Sequence, residues 1–260
     1  MSAPLIEFDN VTVLRDQTVA LDRLTLRIDD GERVAILGAN GSGKSTLLDA
    51  LTRAVYPLTG HGPSSLRIYG QERWDIFELR GLLGIVTHTL LRDCTGRYSA
   101  LETALSGFFG SIGVWRHHRV TDEMRTSARE ALQLMGISRL ADRPLTEMSS
   151  GEARRAVIAR ALVHKPRALV LDEPTVSLDL PGRREMHAAL RRVVRSGASL
   201  VLVTHQLEDL IPEIDRVITL RAGRVLHDGP IRKVLRSATL SEVFGVDVQV
   251  AERDGVWQMW

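Results

Sequence analysis

Hydrophobic and polar positions change period several times along this chain, and each change marks an element. Apolar residues alternate or cluster in strand fashion over residues 5–14 and again over 24–28. The polar run Asp29-Asp30-Gly31-Glu32 is a turn into Val34-Ala35-Ile36-Leu37, a short continuous apolar run of the buried-strand kind. A helical period starts at Leu47-Leu48-Asp49-Ala50-Leu51. Residues 66–69 and 83–87 are further strands, separated by a short helical stretch over 77–80.

The middle of the chain has a different character. Residues 99–109 and 121–135 follow a helical period, the second opened by Thr121 as a cap with Asp122 and Glu123 in its first turn. Gly107, Gly110 and Gly113 break the pattern between them, around Phe108, Phe109 and Trp115, so residues 94–145 are expected to form a helical insertion. Alternation then resumes. A helix is expected over 152–163, a buried strand over 168–171 and a helix opened by Pro181, followed by a strand over 199–204. A hairpin joins 216–220 to 224–227, and residues 239–260 are a short helix and then a strand or two. Continuous apolar strands alternating with helices predict an α/β fold with a mainly parallel sheet covered on both faces. There is no internal repeat and no low-complexity segment.

Composition narrows the function classes. At 260 residues the chain holds one large domain or a core with an inserted subdomain, and 44% hydrophobic with 25% charged residues is ordinary for a globular protein. A net charge of +2, with no Lys/Arg run beside base-stacking aromatics, argues against nucleic acid as a partner. Arg183-Arg184 and Arg191-Arg192 fall at helical spacing and are solvated faces. The single cysteine, Cys94, excludes an internal disulfide and a cysteine-based metal site and implies a reducing, cytosolic address. Glu7 and Asp9 argue against a signal peptide, and no stretch of about eighteen apolar residues offers a membrane span.

The chemistry starts at Gly38-Ala39-Asn40-Gly41-Ser42-Gly43-Lys44-Ser45-Thr46, which fits GxxxxGK[ST] at every fixed position, between a strand and a helix. Gly38, Gly41 and Gly43 let the backbone pass close to phosphates, so that N–H groups from Asn40 to Thr46 and the helix N-terminus point at the anion. Lys44 reaches the β- and γ-phosphates in such a loop, and the Ser45 hydroxyl holds Mg²⁺. Leu169-Val170-Leu171-Asp172 is an apolar strand ending in the carboxylate that a phosphate-loop ATPase uses for Mg²⁺, and Glu173 can serve as the base that activates water. His205 closes the apolar strand 200–204, the edge where a parallel sheet gathers its ligand groups, and could hold the attacking water or Glu173. Ser149-Ser150-Gly151-Glu152 is by itself a helix-capping sequence.

Taken in order, these segments resemble an ATP-binding-cassette (ABC) ATPase over nearly the whole chain. Met148-Ser149-Ser150-Gly151-Glu152 stands in place of the LSGGQ signature, Leu171-Asp172-Glu173-Pro174 follows, Ser177-Leu178-Asp179 takes the D-loop place, and His205 that of the switch histidine. The resemblance implies a P-loop NTPase core with an antiparallel β subdomain and an inserted helical subdomain. The core and β subdomain would span about 1–93 and 146–238, the helical subdomain 94–145, and a C-terminal extension 239–260, all in one domain. It also implies two cassettes paired head to tail around two ATP molecules. Ser149 and the backbone at Gly151 would then bind the γ-phosphate held by the other subunit's Lys44. ATP and Mg²⁺ are the implied ligands. Transmembrane permease subunits are the implied partners, with a substrate-binding protein as a further one, at the cytoplasmic face of the inner membrane.

The finer resemblance is to importers of metal chelates and oxyanions. Residues 105–113 and 178–183 are similar to a molybdate-like branch, and 240–248 to the tail of chelate-importer cassettes. A soluble cassette without a permease, such as an iron–sulfur assembly ATPase or a regulator, is the alternative, and a stand-alone exporter subunit stays open. Phe108, Phe109 and Trp115 either form a socket for the membrane partner or are core of the insertion. Four positions depart from the family. Arg15 occupies the place of the aromatic residue that stacks on adenine, and a guanidinium can also stack. Ser150 replaces a glycine and Glu152 a glutamine. His88 stands where the Q-loop glutamine ligates Mg²⁺; either it substitutes for that ligand or it is an ordinary loop residue one position away.

Overall fold

The computed structural model describes residues 3–58, 62–94 and 96–260. In chain order the first elements are β1 (Ile6–Arg15), β2 (Thr18–Ile28), β3 (Arg33–Leu37), α1 (Lys44–Leu51) and β4 (Ser65–Ile68). Then come α2 (Ile76–Leu82), β5 (Leu83–Val86), α3 (His88–Asp93), α4 (Ala100–Phe109), α5 (Asp122–Leu134), α6 (Ser150–Leu162), β6 (Ala168–Asp172) and α7 (Leu180–Arg195). The chain ends with β7 (Ser199–Thr204), β8 (Arg216–Arg221), β9 (Arg224–Pro230), α8 (Ile231–Val234), α9 (Ser237–Phe244), β10 (Val250–Arg253) and β11 (Val256–Met259). These elements fall into two units, one from residues up to Asp75 together with 199–260, the other from 76–198.

In the first unit β3 pairs in parallel with β7 on one side and β8 on the other. Val34–Leu37 and the whole of β7 are buried, as continuous apolar strands in a covered sheet must be. β8 continues into β9 through a hairpin at Ala222 and Gly223, both with positive φ. A separate antiparallel sheet has the order β2-β1-β4. Here β2 begins at Thr18, well before the strand expected from residue 24. The β1–β2 ladder shifts register three times, and Asn10 and Arg23 have left-handed φ, so bulges interrupt the period-2 alternation that would have marked the strand. The tail is the expected short helix, α9, followed by the β10–β11 hairpin.

The second unit contains the parallel pair β5–β6 and the helices α2 to α7. Ser99, Thr121 and Ser149 cap α4, α5 and α6 with their side-chain oxygens, in keeping with the helix starts expected from the sequence. Gly107 does not end a helix: α4 runs through it to Phe109. A Cβ there would lie 2.3 Å from the Arg160 carbonyl oxygen, so the glycine permits α4 and α6 to touch backbone to backbone. Past α4, Phe109 and Trp115 each stack on His118, at centroid distances of 4.0 and 5.9 Å. Mainly parallel strands, a separate antiparallel sheet and segregated helices make this an α/β protein of the expected class. Among the described residues no helix is long and apolar enough to cross a membrane.

Candidate functional site

In the first unit the phosphate loop leaves the carboxyl end of β3 and feeds α1. Gly43 is the N-cap of α1 with φ +107, a value suited to glycine, and a Cβ there would meet the Ala20 carbonyl oxygen at 2.8 Å. Ser42 offers its carbonyl to the Gly223 N–H at 3.0 Å, so the β8–β9 turn braces the loop. α1 has no side-chain cap and no acidic residue in its first turn, which leaves its positive end for an outside anion. Lys44 is buried, and its Nζ donates to the carbonyls of Gly38 (2.7 Å) and Ala39 (3.0 Å). These are neutral acceptors, weaker partners for an ammonium than a phosphate oxygen. Ser42 Oγ is buried without a hydrogen-bond partner, as a phosphate-accepting loop would leave it. Asn40, Gly41 and Ser45 are exposed along the crest, while Thr46 is buried beneath them.

His205 follows Thr204, which is in register with Leu37, so the histidine and the phosphate loop leave adjacent parallel strands at one edge. Thr204 Oγ1 accepts from the Gln206 N–H at 3.0 Å and is itself hydrogen-bonded to buried Asp209, which ties down the backbone around His205. Arg15 is exposed and paired with the Asp49 carboxylate of α1, so its guanidinium is tethered beside the phosphate-loop helix.

The second unit holds the other candidates. Val86 is in register with Leu171, which brings the start of α3 and the end of β6 to one edge. There the backbone N–H of His88 donates to Asp172 Oδ2 at 3.4 Å, while the His88 side chain is exposed. His88 is the first residue of α3, capped by Thr87 Oγ1, a short helix where only a loop was expected. Glu173 has φ +46, and its carbonyl oxygen accepts from Arg154. Ser149 and Glu152 form a full capping box at the start of α6: Ser149 Oγ accepts from Glu152 N at 3.2 Å, and Glu152 Oε2 accepts from Ser149 N at 3.0 Å. That backbone N–H, helped by the Ser149 hydroxyl and by Arg155 and Arg139, holds the Glu152 carboxyl below the usual range against some burial. A Cβ on Gly151 would meet nothing nearer than 3.7 Å, so packing within the chain does not require glycine there.

Four contributors carried no sequence signal of their own. Ser42 sits at a variable position of the phosphate loop, and Asp49, Arg154 and Asp209 act through contacts that only folding creates.

Comparison with known proteins shows the family. The protein-family profile described as ABC transporter matches residues 21–176. The chain is 37% identical to the cobalt import ATP-binding protein CbiO of Rhodobacter capsulatus, over 86% of this chain and 78% of that protein. It is 31% identical to the phosphonates import ATP-binding protein PhnC of Maricaulis maris, over 98% of both. Among solved structures, cbiO1 from Clostridium perfringens, part of the transporter complex cbiONQ, superposes with a TM-score of 0.75 at 27% identity, covering 92% of this chain and 94% of that one. This chain belongs to the ABC transporter family, as one of its ATP-binding, ATP-hydrolysing cassettes.

Proposed function

We propose that this cassette powers an importer of a metal chelate or an oxyanion from the cytoplasmic face of the membrane. The observation that carries the importer reading is the likeness to cobalt-import and phosphonate-import cassettes across 86% and 98% of the chain. In this reading the protein is a single domain, a RecA-like core and β subdomain with an inserted helical subdomain at about 94–145. It pairs head to tail with a second copy and docks on transmembrane permease subunits, which a substrate-binding protein supplies.

The residues take the following roles. Gly38, Asn40, Gly41, Gly43, Lys44 and Thr46 cradle the phosphates, and the tethered Arg15 presents a flat guanidinium to the base. Ser149 and the Gly151 backbone meet the γ-phosphate bound by the other copy. Glu173 takes the proton from the attacking water and His205 holds that water in place. The donors fit Mg²⁺, which prefers oxygen: Ser45 has an exposed hydroxyl in the first turn of α1, and Asp172 a carboxylate at the end of β6. Among the described residues no group of three His, Cys, Asp or Glu side chains could hold a metal alone, in keeping with an ion shared with phosphates. Bound Mg²⁺ would neutralise charge on the phosphates. Imidazole is a poor magnesium ligand, so His88 serves this site through the backbone N–H it gives to Asp172.

Glu173→Gln tests the chemistry. It is expected to bind ATP and to turn over ~10²–10⁴-fold more slowly, the span that a positioned base contributes. Turnover close to wild type removes Glu173 from the role of base. Affinity capture from membranes, followed by ATPase assays with candidate substrates, tests the importer. Capture of soluble proteins alone would favour a cassette that works without a permease.

A further inference from the structure

Arg154 lies one turn inside α6, and its Nη1 donates to three backbone carbonyls of one short segment: Val176 at 2.7 Å, Pro174 at 3.0 Å and Glu173 at 3.3 Å. The segment needs such a restraint. Glu173 and Ser177 both sit in the left-handed region, at φ +46 and +65, where side-chain-bearing residues persist only if their surroundings hold them. Turns inside the segment add neutral backbone hydrogen bonds, from the Val176 N–H to the Glu173 carbonyl at 3.4 Å and from the Leu178 N–H to the Thr175 carbonyl at 3.1 Å. A guanidinium nitrogen that always carries charge makes stronger hydrogen bonds than these. The neighbouring Arg155 is committed elsewhere, to Glu185 of α7 at 2.6 Å.

We propose that Arg154 is a positioning residue for ATP hydrolysis: by gathering the carbonyls of Glu173, Pro174 and Val176 it keeps the Glu173 carboxylate aimed. The inference rests on the assignment of Glu173 as base. Arg154 shares a rigid helix with Ser149 and Gly151, so it also gives that helix a direct hold on the base of its own chain. When a phosphate on the second copy engages the start of α6, any shift of the helix reaches Glu173 through these three hydrogen bonds. The base is thereby set by whether the opposite site is filled.

The test uses the full-length protein with Arg154→Ala, Arg154→Lys and Arg154→Gln. Arg154→Ala is expected to lower kcat roughly 100-fold, the cost of a misplaced reacting group, while KM for ATP and the nucleotide Kd stay within about twofold. Arg154→Lys should recover part of kcat, because it keeps charge and donors, and Arg154→Gln less. In the Glu173→Gln background Arg154→Ala should cause no further loss, since a positioning residue cannot act once its target is disabled. A normal kcat in Arg154→Ala, a KM that moves together with kcat, or the full loss repeated in the Glu173→Gln background would each overturn the proposal. Slow turnover of Glu173→Gln beside normal turnover of Arg154→Ala sinks this inference alone, whereas near-normal Glu173→Gln sinks the base assignment and the inference together.

Discussion

Two helices of this chain begin where the family reading puts phosphate, and their N-termini are built in opposite ways. α1 starts on Gly43, has neither a side-chain cap nor an acid in its first turn, and carries a buried lysine whose partners include neutral carbonyls. α6 starts on Ser149 and satisfies its own donors with a capping box whose carboxylate is stabilised in the ionised form. An uncapped start is unfinished without an anion; a capped start is complete in the free chain. The phosphate loop therefore leaves its last hydrogen bonds to a nucleotide, whereas under the proposed head-to-tail pairing the helix that starts at Ser149 would have to yield part of its own cap to a phosphate from the other copy. The two glycines differ in the same sense. Gly43 is demanded by the fold of its own chain, and Gly151 is not.

Several substitutions break or sharpen this contrast. The largest effect is expected from Lys44→Ala, which removes the charged donor of α1. Nucleotide affinity measured by calorimetry should fall roughly 10- to 150-fold, the worth of a hydrogen bond to a charged group. Retained affinity would mean that the uncapped helix start binds phosphate unaided.

Next come the paired glycine changes. Gly43→Ala forces a side chain to φ +107 and into the Ala20 carbonyl, and should destabilise the protein by about 1–3 kcal/mol, seen as a Tm lower by several degrees. Gly151→Ala should leave Tm unchanged or slightly raised, because alanine suits a helix, yet lower turnover by roughly 10-fold or more by blocking the second copy's phosphate. Equal effects on Tm would erase the distinction between the two helix starts.

A smaller effect is expected from Ser149→Ala, which removes the cap of α6 and should cost about 1 kcal/mol in denaturant unfolding. No comparable side-chain cap exists at α1 to remove. The smallest belongs to Glu152→Gln. It keeps the geometry of the box but removes a negative charge beside the incoming phosphate, and the helix loses only ~0.3–1 kcal/mol of dipole interaction. ATP-driven dimers formed in the Glu173→Gln background should tighten by about two- to fivefold, the same energy expressed as affinity. The pH dependence has a definite sign. A carboxyl with lowered pKa in the folded state stabilises the fold above its ordinary value of 4.5, and that stabilisation is lost as pH falls through the lowered value. Acid unfolding below about pH 4.5 should therefore be shallower for Glu152→Gln than for wild type, and identical acid limbs would mean that the carboxylate contributes nothing to the cap.

What could be read from the chain alone was what neighbouring residues decide among themselves. The strand and helix around the phosphate loop, the strand that ends in Asp172, and the caps at Thr121 and Ser149 each need only a few consecutive residues, and each is found where the pattern put it. Local rules failed where the backbone departs from regular period. Bulges hid the first part of β2, a close helix approach made Gly107 look like a break, and the short α3 begins at His88 on a cap from Thr87.

Long-range contacts lay beyond sequence reading altogether. Arg15 meets Asp49, and Arg154 gathers three carbonyls about twenty residues downstream. None of these pairs is favoured by residue type at a fixed spacing. Each forms because burial of the apolar strands and helix faces brings distant backbone together, and the polar groups carried along then find one another. The sequence by itself determined which groups can bind phosphate and move a proton; tertiary structure decided which of them are held in place and by what, because holding depends on contacts closed only by the packed core.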